Sequence, residues 1–350
     1  MSALPYANFV AEIGKFCLSL TLLTNVSLIY ITMYHIKNIK GPYKSLVLLL
    51  AILGLLLSAM EIVVQPFMHS YNASFLYFTI SPMFGASKSM RTVLLLIYSV
   101  NYLLIICIIA LQFVYRYFLM TSSNLVKSFS NWKVISWACY LSFCTFIWGF
   151  SAWQCLPDTF TIGYLKQELL ARYQEQSEDV AGFYIVAFES FGSLRWNSVL
   201  CTSSLSGSLI LQYIIIIYCG VKIHFLIRNS IQFTSKNHQE IQSQLFKTLV
   251  LQITAPSLFY HVPALLLFFG PYFDMEFSFP SGVMVCFFSV YPAVDTVILM
   301  WVVTEYHQVI RKWMRNILLA VQRWNTGIID ALDADIAAED PRNSQLVPDN

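Results

Sequence analysis

Residues 92–115 read TVLLLIYSVNYLLIICIIALQFVY, a stretch with no charge between Arg91 and Arg116. The hydrocarbon core of a bilayer takes about 20 consecutive apolar residues in helix, so this stretch spans it alone. The same criterion, applied outward, finds 16–34 between Lys15 and His35, and 45–64 with Glu61 near its end. It finds 134–154 after Lys133, one window within 196–221, one within 248–270, and 282–303 holding Asp295. That makes seven spans. Charged residues are 11% of the chain and apolar residues 57%, against about 25% charged in a soluble domain. The expected fold is an all-α membrane protein, a bundle of seven transmembrane helices.

Orientation follows from where Lys and Arg fall. Segments 35–44, 116–133, 222–247 and 304–350 hold 15 of the 21; the N-terminus, 65–91, 155–195 and 271–281 hold the other 6. The basic set is expected in the cytosol. An odd number of spans then puts the N-terminus outside and the C-terminus in the cytosol. No basic leader precedes the first span, which is expected to insert without cleavage. Loop 65–91 carries Asn72-Ala73-Ser74, an N-glycosylation acceptor on the expected outer side. Asn25-Val26-Ser27 has the same pattern but lies mid-span.

Residues 305–324 place Val309, Ile310, Trp313, Met314, Ile317, Leu318 and Val321 on one helical face and Arg311, Lys312 and Arg315 on others. This reads as an amphipathic helix in the inner membrane interface. Residues 1–324 are therefore expected to form one seven-transmembrane domain with its amphipathic helix, and 325–350 an acidic tail expected to be disordered. Seven of the eight cysteines lie in apolar segments, Cys155 being the exception, and their spacing suggests small packing residues rather than a disulfide framework or zinc site.

Polar groups within the spans are expensive and informative. Asp295 follows Tyr291-Pro292 in the seventh span, with Asn25 of the first as a candidate partner. The pair reads either as a switch that repacks or as a clamp between helices. Glu61 reads as a pocket acid or, slightly preferred, as a group reaching the headgroups. Arg116, between Tyr115 and Tyr117, reads as a snorkelling anchor or as a contact for a cytosolic partner. Pro256 and Pro263 predict a kinked sixth span. Tyr98, Tyr102, Tyr213, Tyr260, His261 and Phe287 are the candidate lining of an aromatic cavity for a small organic molecule. No nucleophile elbow, P-loop, metal-binding His pair or Cys-x-x-Cys is present, so neither enzyme chemistry nor a metal or cofactor is expected. The net charge of +2 gives no reason to expect nucleic acid as a partner.

Several motifs recur together: Gly41-Pro42-Tyr43-Lys44, Glu61-x4-Pro66-x2-His69, Gln112-Phe113-Val114-Tyr115-Arg116-Tyr117-Phe118 and Tyr218-Cys219-Gly220. They continue with Gln244-Leu245-Phe246-Lys247-x-Leu249-x2-Gln252, Pro271-x-Phe273-Asp274 and Tyr291-Pro292-x2-Asp295. From about Gly41 to Lys312 the chain resembles the nematode seven-transmembrane chemoreceptors of the Str family, close to the Srj and Srd groups. The resemblance implies a G-protein-coupled receptor for small, volatile or otherwise environmental molecules in the ciliary plasma membrane of sensory neurons. It implies that Tyr115, Arg116 and Tyr117 engage a heterotrimeric G protein, and that Pro292 and Asp295 belong to the switch. Thr296, where the family often has Pro, and Glu305-Tyr306-His307 depart from its pattern. The third span lacks both an acid before Arg116 and an outer Cys, so the disulfide usual in rhodopsin-like receptors is not expected. A transporter or channel, and a receptor-like partner that does not signal, are the competing readings.

Overall fold

The computed structural model describes residues 4–36, 41–79, 85–121, 123–129, 131–229, 236–273, 278–279 and 281–339. Seven helices are long and apolar enough to cross a membrane. The first five spans are Leu4–Tyr34, Pro42–Val64, Lys88–Thr121, Val134–Gln154 and Trp196–Asn229. The sixth runs Lys236–Pro256, continues through a π-turn at Ser257–His261, and ends as Val262–Phe269. The seventh is Val283–Val302. The third is the most buried and packs on the second and the fifth. Several helices outrun their charge-free windows, because charge marks the limit of hydrocarbon rather than the limit of helix. Arg116 consequently lies a turn and more inside the third helix, which continues to Thr121.

Outward-facing side chains are apolar, as lipid contact requires. Trp153 and Trp196 are exposed toward one end of the bundle; Tyr34, Trp132 and Trp301 (72% exposed) lie toward the other. Such paired belts mark the two membrane–water interfaces.

The sequence reading did not foresee a sheet. Strands β1 (Pro66–Tyr71), β2 (Ser74–Thr79), β3 (Ala181–Val186) and β4 (Ser278–Phe279) form one antiparallel sheet ordered β3-β2-β1-β4. The β1–β2 turn is Asn72-Ala73, with Asn72 at φ 45°, a left-handed conformation that Asn tolerates better than most residues. The three loops at this end of the bundle thus join into one roof. Helix Thr159–Tyr173 covers the roof's far face with Leu165, Leu169 and Tyr173 buried. Asp158 caps that helix through the Thr161 amide and pairs with Arg195. Burial alone would raise the Asp158 pKa, but the bonds from Arg195 and Thr161 outweigh it and hold it below the usual carboxylate value.

A disulfide joins Cys155, at the end of the fourth span, to Cys201 in the fifth. This corrects the expectation that the cysteines only pack. Cys201 sits in an apolar run, but the chain between the two folds back so that their Cα atoms are 6.2 Å apart.

A single helix, Thr304–Glu339, follows the seventh span. Trp313 packs on Tyr30 and His35, ring centroids 5.6 and 5.7 Å away, while Ile317 and Leu318 are exposed. The helix passes Asn325, where disorder was expected. Ile328, Ile329, Leu332 and Ile336 continue the apolar period, and alanine is the strongest helix former. The tail from 340 lies outside the described residues.

Candidate functional site

Side chains alternate along the roof strands. On one face Phe67, Phe78 and His69 meet Tyr173 of the covering helix. On the other, Met68, Phe75, Tyr77, Phe183 and Ile185 close a cavity with about 70 Å³ of open interior. Its walls include Tyr98, Ser99 and Tyr102 of the third span, Trp148 and Ala152 of the fourth, Leu205 of the fifth, Phe268 and Phe288, and the disulfide. The largely apolar and aromatic lining is of the kind that takes a small organic ligand. Polar atoms there are largely engaged: Ser99 Oγ donates to the Leu96 carbonyl and accepts from Trp148 Nε1.

Beside the cavity stands His261. The π-turn carries the ring into the bundle: Val262 N–H reaches back five residues to the Ser257 carbonyl. His261 Nε2 lies 2.6 Å from Tyr102 Oη and Nδ1 lies 2.6 Å from Tyr213 Oη, with Tyr213 2.7 Å from Ser257 Oγ. Ser257 gives its hydrogen to the Ile253 carbonyl, so it accepts from Tyr213. Tyr213 then accepts from Nδ1–H, and Tyr102 donates to Nε2. One histidine therefore ties spans three, five and six together.

Of the expected lining, Tyr98 and Tyr102 face the cavity, whereas Tyr213 and His261 stand behind Tyr102 and hold it. Phe287 does not face the cavity: it is 41% exposed, in an outward cleft between spans six and seven. The seventh helix turns Phe288 inward instead. The Tyr260 side chain lies outside the described residues.

The polar groups of the mid-bundle also differ from expectation. Asn25 does not bond Asp295. Its amide donates to the Pro292 carbonyl at 3.3 Å and accepts from Thr296 Oγ1 at 2.8 Å. A single residue step, about 100° around the seventh helix, separates the two faces, and Asp295 faces the sixth span and Tyr291, whose hydroxyl is 3.4 Å away, with Gln252 reaching the Asp295 carbonyl. Thr296, a departure from the family pattern, is thus the partner of Asn25. Gly54 lets the second span approach closely here: a Cβ at 54 would sit 3.1 Å from Pro292 Cβ. Glu61 is 5% exposed and accepts from Ser289, so it points into the bundle and not to the headgroups. A Cβ at Gly14 would come within 2.9 Å of its carboxylate; the first span leaves it room.

At the end of the bundle opposite the roof, Arg116 is 3% exposed. Its guanidinium donates to Gln242 Oε1 of the sixth span at 3.0 Å and lies over the Tyr43 ring, 4.3 Å from the centroid. A snorkelling anchor would extend into solvent, so that reading is set aside. Tyr115 stacks on Tyr43 and meets Phe129 edge-on, and Tyr117 meets Tyr218 of the fifth span. Tyr306, in the other departing segment, bonds Thr32 of the first span at 2.9 Å.

Sequence comparison matches residues 10–311 to the family described as serpentine type 7TM GPCR chemoreceptor Str. The chain is 38% identical over 301 residues to the G-protein coupled receptor str-33 of Caenorhabditis elegans, covering 84% of this chain and 87% of that one. It is 25% identical over 301 residues to the serpentine receptor class r-10 of Caenorhabditis elegans, covering 83% and 87%. In structure it is similar to squid rhodopsin, with a TM-score of 0.57 at 14% identity over 90% of this chain and 87% of that one. The rhodopsin likeness shows the fold alone, and neither the transporter nor the silent-partner reading is favoured. The chain belongs to the Str family of serpentine seven-transmembrane chemoreceptors, which are G-protein-coupled chemosensory receptors.

Proposed function

We propose that the receptor binds a small, largely apolar environmental molecule in the cavity beneath the sheet, and that occupancy is read out at Arg116 by a heterotrimeric G protein. The observation that carries this reading is the arrangement along spans three and six. Tyr102 and His261 meet beside the cavity, and the same two helices meet again at Arg116 and Gln242. A ligand that shifts Tyr102 against His261 acts on both helices that hold Arg116. Its effect equals its differential affinity for the two arrangements.

In this reading the roof faces outward and the Arg116 end faces the cytosol, as the loop charges require. The Cys155–Cys201 disulfide favours that orientation, since such bonds persist in oxidising compartments. Asn72, in the roof turn, is then on the side where glycosylation occurs. The helix from Thr304 lies along the inner leaflet, and the receptor resides in the plasma membrane, in a sensory cilium by family resemblance. Tyr115, Arg116 and Tyr117 form the coupling end; Asn25, Pro292 and Asp295 form the switch between the two ends.

The test is a calcium-coupled screen of small volatile compounds in cells expressing the receptor with a promiscuous Gα. An activating compound is expected to lose at least tenfold in potency or all efficacy with Arg116→Ala at unchanged surface expression. A full response from that variant overturns the coupling assignment.

A further inference from the structure

The roof covers the cavity, and a separate cleft lies at its side. Spans six and seven part to leave a cleft lined by Ala255, Pro256, Phe259, Phe287, Val290 and Val294. Its mouth faces outward through the lipid-exposed Phe259, Phe287 and Val294. Its inner end is formed by Tyr102 and Phe288, the same two residues that line the cavity. The cleft and the cavity are therefore separated by one aromatic pair, whose ring centroids are 4.9 Å apart and edge-on.

The cleft has a local cause. Pro256 ends the regular helix, and the π-turn that follows widens the backbone where the sixth span would otherwise close on the seventh. Ala255 contributes only a methyl group to the wall of the cleft. Of the two septum residues, Tyr102 is hydrogen-bonded to His261, and Phe288 is buried edge-on against Tyr102.

We infer that this cleft is the route by which an apolar small molecule, dissolved in the bilayer, reaches the cavity, with Phe288 as the gate. The inference rests on the cavity reading given above and adds its ligand class: molecules that partition into lipid. The roof supports it from the other side. Its strands β1, β2 and β3 pair along their full length, and the disulfide and the covering helix fasten it. A route through the roof breaks that pairing. A route through the cleft requires rotation of one ring.

The experiment uses the full receptor in lipid nanodiscs and the apolar photoreactive probe 3-(trifluoromethyl)-3-(m-iodophenyl)diazirine, added in lipid vesicles by rapid mixing and flashed at increasing delays. Mass spectrometry follows labelling of Ile185 and Leu205, two cavity residues away from the cleft. Ala255→Trp fills the cleft at its wall, and Val294→Trp fills it independently at the mouth. A Ser70→Cys, Phe279→Cys double variant bridges paired positions of β1 and β4 and locks the roof. Labelling of Ile185 and Leu205 is expected to slow at least tenfold in each plugged variant, to quicken in Phe288→Ala, and to keep its rate in the locked roof. Equal rates in wild type and both plugged variants overturn the lateral route and leave the cavity intact. Slowing in the locked roof alone does the same and places access above. Absence of label at both residues at every delay overturns the cavity reading itself.

Discussion

At the residue scale, two buried groups hold helices that must move. His261 bonds Tyr102 and Tyr213 together, and Arg116 bonds Gln242 while covering Tyr43. Removing a buried hydrogen-bond partner costs about 1–3 kcal/mol. His261→Phe is therefore expected to lower the thermal midpoint in detergent. Its cost should be less than additive with that of Tyr102→Phe, because the two changes delete one shared bond. Strict additivity in that cycle contradicts the network. These residues were visible as types before they were visible as partners. Aromatic and histidine positions on spans three, five and six suggested a cavity, but only the π-turn decides that His261 points inward. Phe287 and Phe288 show the limit most plainly. They are adjacent and chemically identical, and helix rotation alone sends one to lipid and the other to the cavity. Asn25 and Asp295 are both buried, yet the hundred-degree step between neighbouring helical positions gives Asn25 to Thr296 instead.

At the scale of elements, the roof is the part the sequence hid. Its strands are short and lie in loops between spans; their pairing is long-range, joining β2 to β3 across more than a hundred residues. Strand β1 is buried on both faces, so Phe67 and His69 against Met68 and Ser70 carry no apolar–polar alternation to read. The seven spans were plain because a run of apolar residues is a local signal. Two predictions follow from how the roof is fastened. The disulfide closes a loop with a sequence separation of 46, worth about 4 kcal/mol in the chain-entropy picture. Cys155→Ser is expected to lower the thermal midpoint and to speed proteolysis between the fourth and fifth spans; an unchanged midpoint contradicts a structural role.

The second prediction concerns His69, which bonds Glu168 at 3.0 Å and Tyr173 at 3.0 Å, while Ser278 and Arg172 also reach Glu168. Burial holds the His69 pKa below its ordinary 6.5, against the opposing pull of Glu168. The opened roof therefore takes up a proton near pH 6.5 that the closed roof refuses. Closure loses stability as pH falls through that value and keeps it above. The protection of β1 amides, their exchange relative to the slowing intrinsic rate, should fall between pH 7.5 and pH 5.5, an extra quickening on that scale. That extra quickening should vanish in His69→Gln; its persistence there assigns the effect to another group.

At the scale of the molecule, the roofed cavity and the Arg116 end sit at opposite ends of the same two helices, with the polar mid-bundle between them. Glu61 with Ser289, Asn25 with Thr296, and Asp295 with Tyr291 each join the seventh span to a neighbour or to itself. The third and seventh spans are thus both tied to their neighbours by polar contacts that can be exchanged, the third through Tyr102 and Arg116 to the sixth. The departures from the family pattern at Thr296 and Tyr306 are accommodated by specific partners, so they preserve the bundle.

The central claim is that a molecule beneath the sheet controls the contact between Arg116 and the sixth span. Its most direct test is the distance between spin labels at Thr121→Cys and Glu240→Cys, with the exposed Cys139 replaced by Ser, measured by pulsed electron resonance with and without an activating compound. The predicted result is a second, longer distance population that appears with the compound and is absent from the cavity-filled Leu205→Trp variant. An activating compound that leaves the distance distribution unchanged, or one that widens it equally in Leu205→Trp, contradicts the account.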